Sequence, residues 1–590
     1  MSLTLRNTRS CRFASTTFRR AAAHQSRRFA STDQKKYEDC DVVIVGGGPA
    51  GLALASALGS SQYIRENLKI ALVEAGDLTK IQHWVPAPGT YSNRVSSLTN
   101  ASTGFIKETG AWSYVDEKRT CPIEEMEVWD GVSDARISFS AAEMGLETPG
   151  VGMARLTENL NLQRGLLRHL QEIPEVQLLQ KTKVQSITKD EEVRGGWPVV
   201  HLDNGRTLRA RLLVSSGLQY GTSLLTPAKV GADGFNSPVR SYANISSFGW
   251  SYNTQAIVAT MSHPPRGAFE GPNTTAYQRF LPTGPIAFLP LSSTTSSLVW
   301  STKPPLAAAL QACAPAVLAS MINAAFRLPE ISIRYLHKRI LEAHAAGASI
   351  APSEIQQEIY WREQSHAIDQ TSAYASAVIK PSESVGIPAA DSEAVPPLVT
   401  SLQLGTIASF PLRFNHAESY IGEGASSRTV LVGDAAHTVH PLAGQGLNMG
   451  LSDVECLARC IREALAQGAD IGSYTTLLPY AQERYLANHT LMAAVDKLHK
   501  LYSTDAAPVV WARSMGLEVL NELDSIKAAI MMSAGAQGIA TRHNSSAWNI
   551  AAKGVENVVA TASGVKMVGS AIGGAVVAGL QGLLKGPQLK

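Results

Sequence analysis

VIVGGGPAGL, residues 43–52, decides the fold. The run that enters it, DVVIV (41–45), is continuously apolar, as suits a strand buried on both faces of a parallel sheet. A segment with a small-residue face follows (Ala50, Leu52, Ala53, Leu54, Ala57, Leu58) and reads as a helix, and KIALVEAG (69–76) reads as the next strand. Between strand and helix, Gly46, Gly48 and Gly51 form GxGxxG. Gly46 permits the tight turn, Gly48 lets the backbone approach a pyrophosphate, and Gly51 allows close helix–strand packing. The helix start offers free N–H groups and a positive dipole end to the phosphate charge. Glu74, at the end of the second strand, is placed to accept hydrogen bonds from ribose hydroxyls. This βαβ unit implies a dinucleotide and leaves FAD and NAD both open.

VLVGDAAHTVHPLAGQGLNMG (430–450) separates the two. Gly433 and Asp434 end another buried strand, and the Asp434 carboxylate suits the hydroxyls of a ribityl chain, which nicotinamide dinucleotides lack. Pro441 then turns the chain, and Gly444, Gly446 and Asn448 open a helix aimed back at the site. Donors at that helix start would stabilise negative charge on the pyrimidine edge of a reduced flavin. FAD is therefore the expected cofactor. A metal site at Asp434, His437 and His440 is the alternative, but it gives the glycines and the helix start no role. Leu447, Leu451, Val454, Leu457, Ile461 and Leu465 continue at helical spacing, and more helix is expected to about residue 541.

Residues 243–300 read as alternating strands with turn breaks, an antiparallel sheet over a substrate cavity. Residues 305–400 look mixed and partly helical, with a Ser/Pro/Ala-rich surface loop at 380–397. The composition, 45% hydrophobic and 17% charged over 590 residues, is that of a globular protein with more than one substantial core. The net charge of +3 turns to −4 once the seven arginines of residues 1–32 are set aside, so no nucleic-acid partner is indicated. Those first residues are rich in Arg and Ser and free of acids until Asp33, the composition of a mitochondrial transit peptide. Cleavage is expected near RRFAS (27–31); a disordered basic tail is the alternative. The six cysteines form no CxxC pair and suit a reducing compartment.

The middle motif, VGADGFNSPVR (230–240), completes a set of three that resembles the flavoprotein hydroxylases of the para-hydroxybenzoate hydroxylase type. The resemblance implies an α/β fold, with a Rossmann-like FAD-binding domain of the glutathione-reductase type, an antiparallel-sheet substrate domain and C-terminal helices. It also implies that Asp233 and Gly234 approach the pyrophosphate and Asp434 the ribityl chain. YSNRVSSLT (91–99), GAW (110–112), MEVWD (126–130), YQRFLPTGPIAFLPL (277–291) and HPLAGQGLN (440–448) narrow the likeness to the mitochondrial ubiquinone-biosynthesis monooxygenases, over roughly 40–300 and 405–540. By that analogy Arg94 contacts the flavin; a surface or structural arginine is the alternative. The family's reaction is hydroxylation at ring position 5 of a polyprenyl-4-hydroxybenzoate or a close relative, with O2 as oxidant. Its electrons come from a mitochondrial ferredoxin and ferredoxin reductase. Its setting is a membrane-associated complex of coenzyme Q biosynthesis proteins, on the matrix side of the inner membrane. No side chain stands out as the base for the phenol. Other readings are a related hydroxylase of another phenol, or a flavin-binding structural subunit of that complex.

The expected organisation is a transit peptide (1–32), a discontinuous FAD-binding domain (40–242 and 411–470), a substrate domain (243–410), a helical region (471–541) and a Gly/Ala-rich tail (542–590). Two features depart from the family pattern. SSGLQYGTSLLTPAKV (215–230) separates LLV from GADG, and its removal restores ARLLVGADGFNSPVR. Sixteen codons keep the reading frame, so an unspliced intron or gene-model error is expected, against a true loop insertion. In the tail, residues 567–584 are uncharged and only just long enough to span a bilayer. A membrane-associated helix and a flexible or partner-packed tail both remain open.

Overall fold

The computed structural model describes residues 37–523 and Lys527, apart from 134, 144–145, 147–149, 151, 191–195, 218–236, 267–270 and 367–394. The expected transit peptide, Asp233 and Gly234, most of the 380–397 loop and the 542–590 tail lie outside the described residues.

Val42, Val43, Ile44 and Val45 are buried completely or nearly so, because the strand Glu38–Val45 has a parallel neighbour on each side and helices on both faces. On one side lie Ile70–Val73 and then Val176–Leu179, both parallel. On the other lies Thr207–Ser215, which forks. Its first half pairs antiparallel with Trp197–Leu202, and its last three residues pair parallel with Thr429–Leu431. Val184–Asp190 closes this seven-stranded sheet. The helix Pro49–Ser60 is buried on every side, so it lacks a polar face. Its small residues let it lie close to the sheet; a Cβ on Gly59 would sit 2.9 Å from Val176 Cγ2.

A nine-stranded sheet is built around the long strand Ser247–Ser262, which pairs antiparallel with Thr295–Thr302 and Ala408–Ala417. Gly284–Pro290 and Thr275–Leu281 continue the antiparallel order expected for residues 243–300. Glu125–Asp130 then joins parallel to Thr275–Leu281, with Arg136–Ser140 at the edge. Strand alternation divides the side chains. Ile257, Ala259 and Met261 enter one core with Trp300, Phe288 and the helices Pro304–Ala312, Pro315–Arg327 and Glu330–Ala345. Ala256 faces the opposite way, toward Met449 and Met492. The expected boundary at 410/411 falls inside Ala408–Ala417, an unbroken strand of this sheet. A small third sheet joins Val95–Thr99, Ala154–Glu158 and Thr120–Ile123.

Helices Gly446–Ala466, Tyr474–Tyr502 and Ala507–Asn521 follow. The last is fixed by Arg513, whose Nε and Nη2 donate to the two Asp130 oxygens at 2.7 and 3.0 Å, with both side chains inaccessible to solvent or nearly so. Among the described residues no helix is long and apolar enough to cross a membrane.

Candidate functional site

Register gathers the site. Val45 stands opposite Val73 on one side and Ser215 on the other, and Ser215 stands opposite Leu431. Four parallel strands therefore end in one row, and the segments that leave them emerge at the carboxyl edge of the sheet, where open α/β sheets bind ligands. These segments are the glycine loop, Glu74, Ser216–Gly217 and the Gly433–Ala435 turn.

The glycine loop is packed to backbone contact. Gly46 has φ +113°, and a Cβ there would lie 2.2 Å from Gly217 O. A Cβ on Gly51 would lie 1.9 Å from Gly46 O. Gly48 precedes the helix in extended conformation, Pro49 occupies the first turn, and no side chain caps the helix N–H groups. Those donors suit a phosphate. The Glu74 carboxylate is buried, and its oxygens accept from Gly47 N at 2.5 Å and Gly76 N at 2.6 Å. It thus holds the loop as well as ending the strand, and each oxygen keeps a second lone pair for a ribose hydroxyl.

Ser215–Gly217, the first three residues of the suspected insertion, complete the strand end. Ser216 N donates to Val45 O, and its hydroxyl donates to Gly46 O at 2.9 Å. Asp233 and Gly234 lie outside the described residues, but their flank is visible. Ser237 Oγ lies 2.7 Å from Ser215 Oγ, and Arg240 reaches toward Ala435 O at 3.5 Å.

Gly433 has φ +55°, and a Cβ there would meet Ala50 Cβ at 3.3 Å, so the first and third motifs touch. Asp434 is open to solvent yet has protein around it. Desolvation raises its carboxyl above the usual range, and His437 opposes that rise. Gly444 has φ +60°, and Gly446 begins the helix Gly446–Ala466, which has no side-chain cap. Asn448 is occupied within the protein, accepting from Thr99 N at 3.0 Å and donating to Ser97 O at 2.7 Å. It ties the helix start to the strand Val95–Thr99. Arg94, just before that strand, is exposed, and its guanidinium makes no hydrogen bond or ion pair within the described residues.

A buried carboxylate that the sequence reading missed lies beneath the third motif. Asp453 Oδ2 accepts from Gly433 N at 3.0 Å and His437 Nε2 at 2.7 Å. Its Oδ1 accepts from Arg484 Nε and Asn488 Nδ2, each at 2.9 Å. Burial alone would raise this acid, but His437, Arg484 and the Asn488 hydrogen bond hold it down at about 2. The available signal was an acid between Met449, Val454 and Leu457 on the buried side of an amphipathic helix. His440, the third residue of the alternative metal reading, instead accepts from Leu442 N through Nδ1.

The chain matches a family model described as an FAD binding domain over residues 403–495. It is 35% identical over 516 residues to the ubiquinone biosynthesis monooxygenase COQ6, mitochondrial, of Schizosaccharomyces pombe, covering 86% of this chain and 94% of the relative. The Xenopus tropicalis protein of that name is 37% identical over 508 residues (86% and 95%), and the Homo sapiens protein 33% over 496 (83% and 91%). Among solved structures, p-nitrophenol 4-monooxygenase PnpA from Pseudomonas putida superposes with a TM-score of 0.53 at 15% identity, covering 84% of this chain and 97% of that one. That last likeness carries the fold alone.

Proposed function

The chain belongs to the mitochondrial ubiquinone-biosynthesis monooxygenases, an FAD-dependent family, and from that premise we propose that it hydroxylates position 5 of the ring of a polyprenyl-4-hydroxybenzoate-type intermediate. The observation that carries this reading is the meeting of the glycine loop with the Gly433–Asp434 turn at one sheet edge. Bound FAD supplies the oxygen activation; the protein supplies binding, orientation and exclusion of water.

In this reading the glycine loop Gly46–Gly51 holds the pyrophosphate through the uncapped N–H groups of Ala50 and Gly51 at its helix start, Glu74 holds a ribose, and Asp434 holds the ribityl hydroxyls. The helix start at Gly444–Gly446 faces the pyrimidine edge, with Asn448 fixing its place. Asp233 and Gly234 would add to the pyrophosphate contact, and Arg94, exposed and with no guanidinium partner among the described residues, would contact the ring. The seven-stranded sheet and its helices form the cofactor part, and the nine-stranded sheet the wall for the prenylated substrate. Ferredoxin and its reductase are the proposed electron source, and NADPH alone should reduce the flavin too slowly for turnover. The proposed station is the matrix face of the inner membrane, among other coenzyme Q biosynthesis proteins. Carbonate extraction of full-length and tail-truncated protein tests whether residues 542–590 contribute to attachment.

The deciding experiment gives purified protein a defined reductant, labelled O2 and a prenylated 4-hydroxybenzoate, and reads product mass. One labelled oxygen on the ring supports the enzyme. Stable flavin binding with no labelled product refutes it and favours a structural subunit, the reading that a true insertion at 215–230 would support.

A further inference from the structure

We propose that Asp453 is the positioning residue that presents Asp434 to the cofactor, acting through the backbone of Gly433. Its carboxylate is fully buried and receives four donors, divided by oxygen. Oδ2 serves the turn, through Gly433 N and His437 Nε2. Oδ1 serves the helix Tyr474–Tyr502, through Arg484 and Asn488. Only an ionised carboxylate accepts at both oxygens; an amide of the same shape would point one donor at another.

The turn needs such an anchor. Thr429–Leu431 is short, and Gly433 leaves it in a left-handed conformation with its N–H directed inward. Val432 N is satisfied by Ser215 O, and Ala436 N by Gly433 O, which leaves Asp453 as the acceptor for Gly433 N. Without it a buried N–H would lack a partner, and the turn would gain by moving. Asp434 is the next residue, so any such movement is passed directly to its carboxylate. The arrangement couples the far helix to the cofactor edge through one side chain that touches no cofactor itself. The inference rests on Asp434 meeting the ribityl chain.

The test measures two affinities in the full chain, for FAD by fluorescence titration and for ADP as a probe of the glycine-loop half alone. Asp453→Asn should weaken FAD at least tenfold and leave ADP within twofold of the unmodified protein. Asp434→Asn should weaken FAD too, and the double variant should be no weaker than the poorer single one. Asn488→Ala removes one Oδ1 donor together with Asn488's bonds to Arg484 and Tyr420 and leaves both Oδ2 donors in place, so it should lower the urea midpoint with FAD affinity within twofold. Should Asp453→Asn not fold, His437→Leu removes one Oδ2 donor and should weaken FAD at least threefold, with ADP unchanged. FAD affinity unchanged in Asp453→Asn (or in His437→Leu), while Asp434→Asn weakens it, overturns the proposal. Equal loss of FAD and ADP overturns it as well, because that marks general loosening. FAD affinity unchanged in Asp434→Asn overturns instead the reading of Asp434, and the proposal with it.

Discussion

Replacing Gly51 by alanine should damage both folding and cofactor binding, and the geometry sets the scale. The added Cβ would lie 1.9 Å from Gly46 O and 2.6 Å from Ser216 Oγ. The serine hydroxyl can rotate away. The carbonyl cannot, because Gly46 N is held by Val73 O at the end of a central strand. A carbon–oxygen contact normally opens to about 3.3 Å, so strand end and helix must part by about 1.4 Å. The helix Pro49–Ser60 is buried throughout and has no free volume to retreat into. Overpacking of this kind costs about 1–3 kcal/mol, and a backbone clash belongs at the upper end. About 3 kcal/mol shifts the folding equilibrium roughly 100-fold. Whatever strain the loop relieves by moving displaces the N–H groups meant for the pyrophosphate, so FAD affinity should fall tenfold or more. Gly47→Ala is the comparison: the three atoms nearest its Cβ belong to the Glu74 side chain, Cγ at 2.8 Å and Cβ at 2.9 Å, so the strain falls on a side chain and not on a strand-end carbonyl. Urea unfolding of the cofactor-free protein should therefore rank Gly51→Ala below Gly47→Ala, while FAD titration should register a loss in both, since Glu74 is the proposed ribose acceptor. A Gly51→Ala protein with the parental urea midpoint and FAD affinity within twofold would refute the reasoning.

Arg513→Ala leaves the Asp130 carboxylate buried without its bidentate partner, which should cost about 3–5 kcal/mol in urea unfolding; a loss below about 1 kcal/mol would count against it. Burial lowers His337 to about 4, and His416 and His440 to about 3, so all three are neutral in the folded protein near pH 7. Below about pH 6.5 the unfolded chain takes up protons that the folded protein refuses. Stability should accordingly be flat above pH 7 and fall from pH 6.5 toward 4, by up to about 1.4 kcal/mol per pH unit for each histidine. His337→Gln should remove one share of that slope, and equal urea midpoints at pH 7.5 and 5 would contradict the assignment. Sequencing of the messenger should find transcripts lacking the codons for 215–230, and a dominant transcript that encodes them would make the segment a true insertion.

What the sequence discloses here is what short-range chemistry writes. The strand–glycine–helix unit at 41–58 was legible because periodicity switches at Gly46, and the 430–450 motif because a strand, a turn and a helix follow one another within it. The antiparallel run over 243–300 showed in its alternation. Illegible were the pairings between distant segments. Glu125–Asp130 lies parallel to Thr275–Leu281, so a strand early in the chain becomes part of the later sheet. Asp130 and Arg513 find each other across most of the protein. Glu74 was read as a ribose acceptor from its position alone, and its bonds to Gly47 and Gly76 depend on how the loop closes. Asp453 reads as an oddity on an apolar helix face until Gly433 and Arg484 are seen to converge on it.

The long-range pairings also explain why the proposed cofactor contact of Asp434 can be carried on so short a strand as Thr429–Leu431. A strand advances about 3.3 Å per residue, so a two-residue slip would move Asp434 by about 7 Å and out of line with the glycine loop. Three residues of sheet pairing are a weak defence against such a slip. The defence comes from elsewhere. Leu213 N donates to Arg428 O and Val432 N to Ser215 O, bracketing the strand at both ends. Leu431 N donates to Tyr420 O, and Tyr480 Oη donates to Leu431 O at 2.6 Å. Tyr480 stands on the same helix as Arg484 and Asn488, which hold Asp453. One helix, Tyr474–Tyr502, thus fixes both the register of the strand and the turn that leaves it. A segment remote from the glycine loop in sequence becomes a structural requirement of the proposed cofactor edge, which is why the helix Tyr474–Tyr502 belongs to the architecture of that site and not to its periphery.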